Sequence, residues 1–185
     1  FDFGQETLPR RSAQAAFPYL SANLRRSDGS FPSELGIQPY ALLSAGPLQV
    51  GVIGLTTTST PTQTDPKKLQ GLVFLDYDVA LRETLPQVQQ AGADLVIVLA
   101  HVCPDEVTRL AVLLRKFQIP LITAGHCHQT AAFKVGETVI LSPGSNLGDY
   151  AYAVFSLDPK TGRENWHCNG LNPLAYCEPV VGEGA

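Results

Sequence analysis

Two short, nearly continuous apolar runs stand out along the chain, Leu95–Ala100 (Leu-Val-Ile-Val-Leu-Ala) and Ile119–Ala124 (Ile-Pro-Leu-Ile-Thr-Ala). They do not alternate and are too short for buried helices, so they predict strands covered on both faces, Asp94–Ala100 and Ile119–Thr123. Between them Pro104-Asp105-Glu106 opens a helix to about Lys116, with Val107, Leu110, Ala111 and Leu114 on one face. Acids at its start and Arg115-Lys116 at its end complement the helix dipole. The strand, helix and strand form a right-handed βαβ unit that brings the two strand ends to one edge of a sheet.

The flanking pattern adds further elements. A helix lies between Gln5 and Ala16, starting near Pro9, then a strand over Phe17–Leu24 and a polar loop over Arg25–Ile37. Tyr40–Ser44 and Leu48–Leu55 form a hairpin through Ala45-Gly46-Pro47. Gly51 and Gly54 in its second strand imply close approach of another element, or a backbone held near a ligand. Thr56–Pro66 reads as a loop, Val79–Gln90 as a helix despite Pro86, and Gly92 as its cap. Ala131–Val135 and Glu137–Leu141 form a second hairpin, followed by a strand over Tyr150–Leu157 and a turn over Asp158–Gly162. The class is α/β.

Composition narrows the function classes. The 185 residues, 44% hydrophobic and 16% charged, suffice for one domain with a core. The net charge of -4 and the lack of any basic stretch longer than two residues argue against a nucleic-acid polymer as partner. The longest apolar run is far too short for a membrane span. The chain starts at Phe1 and contains no methionine, which suggests a processed or cleaved piece. A removed signal peptide would account for this, although the start shows no small-residue cleavage remnant.

The candidate chemistry gathers at the two strand ends. His101 follows the first apolar run, and Gly125-His126-Cys127-His128 follows the second. Strand ends of open α/β sheets are where ligands collect, and imidazole is the commonest transition-metal ligand. Glycine lets the backbone turn sharply there. Cys103 and Cys127 neighbour these histidines, so a disulfide or soft metal ligation could involve either, or Cys127 could point away from both flanking histidines in an extended segment. The four cysteines allow three full pairings. Cys168 and Cys177 lie in an Asn/Pro-rich tail, where a local disulfide could form in an oxidising compartment.

Taken in order, these segments resemble the calcineurin-like metallophosphoesterases, in the branch of bacterial 5'-nucleotidases and cyclic-nucleotide phosphodiesterases. Phe1-Asp2-Phe3-Gly4 is similar to the tail of a Gly-Asn-His-Glu-Phe-Asp-x-Gly motif, and Phe17–Leu24 to the strand after it. Val50–Thr57 resembles the branch's glycine-rich central strand, Gly92–His101 its metal-histidine strand, Gly125–His128 its closing Gly-His-x-His, and Ser142–Gly162 its last strand pair. The resemblance implies part of a four-layer αββα sandwich with mixed sheets. Residues 1–164 would be the C-terminal portion of the catalytic domain, and 165–185 an irregular tail.

Carried over, His101 and His126 would ligate one of two divalent ions (Mn, Zn, Fe, Ca or Mg) and His128 the other. Asp2 would orient a catalytic histidine that precedes Phe1 in the family. A structural role for Asp2, such as capping the following helix, is the alternative. The Asp-x-His motif, the bridging aspartate and the asparagine ligand also come earlier in the family. A companion segment or chain would have to supply them, because three neutral imidazoles leave four metal charges uncompensated. The resemblance thus implies a phosphoester or nucleotide substrate and a periplasmic or secreted protein. The competing readings are a non-catalytic binding or assembly protein that kept the fold, and a mononuclear zinc centre of His101, Cys103, His126 and His128.

Overall fold

The computed structural model describes residues Phe1–Leu157 and Glu164–Leu171. The chain divides into two compact units, Phe1–His101 and Val102–Ala185.

In the first unit, helix α1 (Thr7–Gln14) precedes the short strands β1 (Tyr19–Leu20), β2 (Leu24–Arg26) and β3 (Ile37–Gln38). Then follow β4 (Tyr40–Ala45), β5 (Leu48–Thr56), a single helical turn α2 (Thr60–Gln63), β6 (Leu72–Phe74), α3 (Tyr77–Gln90) and β7 (Leu95–His101). The expected hairpin is present, with β4 and β5 antiparallel, and β7 runs parallel to β5. Helix α3 tolerates Pro86 because that position faces solvent, while Ala80, Leu81, Thr84, Leu85 and Val88 are buried.

The single strand expected over Phe17–Leu24 is instead two short pieces with different partners. β1 pairs parallel with β3, and β2 pairs antiparallel with β6, a strand the apolar pattern did not suggest. Leu24, Leu35 and Ile37 form a small core there, joined by Phe1, Leu8 and Tyr19. The Phe1 ring meets Phe74 edge-on at 5.8 Å. The expected loop over Thr56–Pro66 holds α2 and leads into a 3-10 turn at Pro66–Leu69, whose N-cap Asp65 accepts a bond from the Lys67 N–H.

The glycines of β5 have the close neighbours their positions suggested. A Cβ on Gly54 would collide with the Leu20 backbone, and one on Gly51 would collide with the Val88 side chain. The Gly54 carbonyl accepts from the Ala22 N–H at 2.7 Å, so the neighbouring chain is bonded across the gap that the missing side chain leaves.

The second unit starts with α4 (Pro104–Leu114) and a 3-10 turn at Arg115–Phe117, then β8 (Leu121–Gly125), β9 (Thr130–Val135), β10 (Thr138–Pro143), β11 (Ala151–Leu157) and β12 (Glu164–Leu171). β10 pairs parallel with β8 and antiparallel with β9, giving a mixed sheet. Val107, Leu110, Ala111 and Leu114 of α4 are all buried, as their spacing predicts. The irregular tail expected from residue 165 starts as a strand instead, because β12 pairs antiparallel with β11 from Leu157–Glu164 to Ala151–Leu171. Cross-strand pairing there overrides the poor strand propensity of an Asn/Gly-rich sequence. The Asp158–Gly162 turn and the Cys168–Cys177 pairing lie outside the described residues.

Candidate functional site

In the first unit His101 ends β7, exposed and in register with Thr56 of β5. The Thr57 N–H donates to the His101 carbonyl at 3.1 Å, so the strand that presents this imidazole is held to its neighbour up to its last residue. Thr56 is fixed in turn by Asn23, which is fully buried. The Asn23 amide donates to the Thr56 carbonyl at 2.8 Å and to the Leu75 carbonyl at 3.3 Å, and its oxygen accepts from the Thr56 N–H at 2.9 Å. Ser21 adds a hydroxyl contact to Thr56 at 2.8 Å. A buried amide with no solvent access belongs where each of its bonds is made, and this one organises the end of β5.

Asp2 lies elsewhere in the same unit, exposed in the turn that the Gly4 N–H closes onto the Phe1 carbonyl. Its carboxylate accepts from the Thr64 hydroxyl at 3.2 Å, and the Lys68 ammonium donates to its backbone carbonyl. It does not cap α1, whose N-cap position is Glu6. Asp2 lines a surface cleft of about 410 Å³ together with Glu6, Lys67, Lys68 and Gln70.

In the second unit β8 ends at Gly125 and the histidine loop follows. His126 has φ 148° and His128 has φ 57°. Both values lie in the region that favours glycine, and two non-glycine residues holding it around a single intervening position is an uncommon arrangement. The extended segment expected for Cys127 is therefore absent. Its sulfur instead forms a disulfide with Cys103, the N-cap residue of α4, with Cα atoms 5.2 Å apart. This realises the disulfide alternative for the two cysteines and removes Cys103 as a thiolate ligand, which overturns the mononuclear zinc reading. On the far side of the loop the buried Ser142 hydroxyl donates to the Gln129 carbonyl at 2.6 Å. Asp149 reaches the Thr130 hydroxyl at 3.5 Å, which brings a carboxylate to the base of the loop.

His126 and His128 are thus presented by one loop of the second unit, and His101 and Asp2 by separate parts of the first. Among the described residues, no three or more His, Cys, Asp or Glu side chains come together as a group able to hold a metal ion. The donor set is half suitable for the implied metals. Neutral imidazoles suit a transition ion, but a pair of divalent ions also needs a bridging carboxylate, and the described residues form no group of three or more such ligands. Sequence reasoning singled out the histidines as candidates and did not single out Asn23 or Ser142, which hold the neighbouring backbone. A buried Asn is signalled only faintly, by its place inside the apolar stretch Leu20–Leu24.

The mixed parallel and antiparallel pairing around the glycine-thinned strand β5 has counterparts among solved structures. The calcineurin-like phosphoesterase YfkN from Bacillus subtilis superposes with a TM-score of 0.75 at 22% identity, over 98% of this chain and 61% of that one. The fold is therefore that of a calcineurin-like phosphoesterase, the sandwich class expected. No family model matches. Among sequence relatives, the snake venom 5'-nucleotidase of Crotalus adamanteus is 34% identical over 115 residues, 60% of this chain and 18% of that protein. The 5'-nucleotidase of Vibrio cholerae is 26% identical over 200 residues, 95% of this chain and 35% of that protein. Both relatives are named 5'-nucleotidase, and the chain is similar to them over part of their length. It spans about a fifth to a third of the length of the curated relatives it matches.

Proposed function

We propose that this chain is the C-terminal portion of the catalytic domain of a metal-dependent phosphoester hydrolase acting on nucleotides, completed by a segment, covalent or separate, that supplies the remaining ligands. The observation that carries the proposal is the histidine loop. His126 and His128 hold left-handed backbone conformations on either side of a cross-linked cysteine. Strain of this kind concentrates where side chains must be aimed. His126 and His128 would offer their imidazoles from this loop and His101 from the end of β7, with Asp2 orienting a histidine of the completing segment. A bound metal pair would supply an activated water and neutralise phosphoryl charge. Export to the periplasm or cell exterior fits the disulfide, which persists in oxidising surroundings, and the venom origin in one relative's name.

The test uses the native polypeptide with any co-purifying segment, identified by intact mass. With Mn²⁺ added it should release phosphate from AMP, and His126→Ala should lower kcat/KM at least about 100-fold, since even residues supporting a metal ligand typically cost 10–100-fold. Activity indifferent to His126→Ala overturns the assignment. The second reading, a binding or assembly protein with a degenerate site, draws on the ungrouped donors among the described residues. It is favoured if the completed protein neither binds Mn²⁺ nor releases phosphate.

A further inference from the structure

The histidine loop is lightly built. Gly125 and His126 are half-buried, and every residue from Cys127 to Thr130 is exposed. A Cβ placed on Gly125 would meet nothing within 4 Å, so little side-chain matter fills the space beside the strand end. Yet the loop holds φ 148° at His126 and φ 57° at His128. Left-handed backbone at non-glycine residues persists only where neighbouring structure fixes it. The Ser142 hydroxyl holds the Gln129 carbonyl, and Asp149 accepts from the Thr130 hydroxyl at 3.5 Å. The Cys103–Cys127 bridge fastens the residue between the two histidines to the N-cap of α4.

That anchor is firm. The Val107 N–H donates to the Cys103 carbonyl at 2.8 Å, closing the first turn of the helix, and Val107, Leu110, Ala111 and Leu114 tie the helix into the core. The bridge itself is reachable, since Cys127 is exposed and Cys103 half-buried.

We infer that Cys103 and Cys127 are positioning residues whose disulfide sets the conformation of the His126–His128 loop, and that a dithiol reductant releases it. A thiolate of the reductant attacks the exposed Cys127 sulfur and displaces Cys103 as a thiolate, which takes up a proton. The second thiol of the reductant then resolves the mixed disulfide. The reductant ends as a disulfide and the protein as two thiols, a balanced exchange of two electrons and two protons. The oxidised loop presents both imidazoles in one arrangement, and the reduced loop samples many. What the histidines hold rests on the proposed function, whereas the tethering does not.

The experiment compares the native protein before and after dithiothreitol, alongside the Cys103→Ser/Cys127→Ser double variant. Amide hydrogen exchange over residues 125–130 and Mn²⁺ binding by calorimetry are both read. Reduction should speed exchange across the loop at least tenfold, leave α4 and β8 protected, and weaken Mn²⁺ binding about tenfold. The double variant should match the reduced protein and ignore the reductant. Unchanged loop exchange on reduction overturns the inference. So does loss of protection throughout the second unit, which would make the bridge a staple of the whole fold, and so does recovery of Cys103 and Cys127 as free thiols from the native protein. A loop that loosens in a protein that binds no Mn²⁺ in either state keeps the tether and removes the metal reading, so the two fail separately.

Discussion

Truncating Asn23 to alanine removes three hydrogen bonds at one fully buried point: the amide to the Thr56 and Leu75 carbonyls, at 2.8 and 3.3 Å, and the Thr56 N–H to the amide oxygen, at 2.9 Å. A buried polar group left without a partner costs about 1–3 kcal/mol. Thr56 and Leu75 are themselves half-buried, so water can replace part of what is lost. The 3.3 Å bond also contributes less than the other two. The expected loss is therefore about 2–4 kcal/mol, a large share of the roughly 5–15 kcal/mol typical of a domain. At about 2–4 °C per kcal/mol for a chain of this size, the midpoint should fall by about 10 °C. Urea unfolding followed by circular dichroism measures the loss. Hydrogen exchange at the Thr56 and Thr57 amides locates it, and because Thr57 bonds to the His101 carbonyl, the imidazole resonances of His101 should shift as well. Asn23→Leu, which restores volume without polarity, should recover little. A loss below about 1 kcal/mol, or unchanged exchange at Thr56, would refute the view that this amide organises the strand end.

Three further outcomes follow from the same geometry. Gly54→Ala should cost about 3 kcal/mol or prevent folding, since the new methyl meets the Leu20 backbone, which cannot turn aside; denaturant midpoints decide. Gly51→Ala meets only the Val88 side chain and should cost less, and adding Val88→Ala should recover part of that loss, a non-additivity that a double-mutant cycle reads directly. Hydrogen bonding from the Arg26 guanidinium holds the Glu34 carboxyl below the usual glutamate range. A depressed folded value contributes stability that is present above the unfolded pKa and is lost as pH falls through the folded one. Glu34→Gln should therefore flatten the decline in stability below about pH 4, by well under 1 kcal/mol for so exposed a pair. An unchanged acid limb would show that the Arg26 pair is not felt in solution.

The parts of the fold legible in the sequence are those whose signals are local and long enough to be periodic. The buried runs of β7 and β8, the single apolar face of α4 and the β4–β5 turn each declare themselves within a dozen residues. β2 and β6 do not, because each is three residues long and takes its meaning from a partner about fifty positions away. β12 was hidden by its composition, because Asn and Gly read as loop until β11 is there to pair with them. At the candidate site, Gly-His-x-His drew attention to the loop after β8, but the left-handed backbone at His126 and His128 leaves no trace in residue type. Nor could spacing choose Cys127 as the partner of Cys103, since the choice depends on where β8 delivers its loop. Asn23 was overlooked for a similar reason, since its three acceptors and donors come from Thr56 and Leu75, far along the chain.

The outer flank of β4 carries one more consequence. In the sheet order β4 stands at an end and pairs on one side with β5, and its six residues, Tyr-Ala-Leu-Leu-Ser-Ala, include no charge. Leu43 is half exposed, and the following residues through Pro47 also face solvent. Strand edges are usually guarded by lysine, proline or a bulge, because unpaired backbone groups invite a strand from another molecule. Protein concentration thus enters as a variable wherever unfolding midpoints or metal titrations are compared, and dilute samples will report the behaviour of a single chain most faithfully.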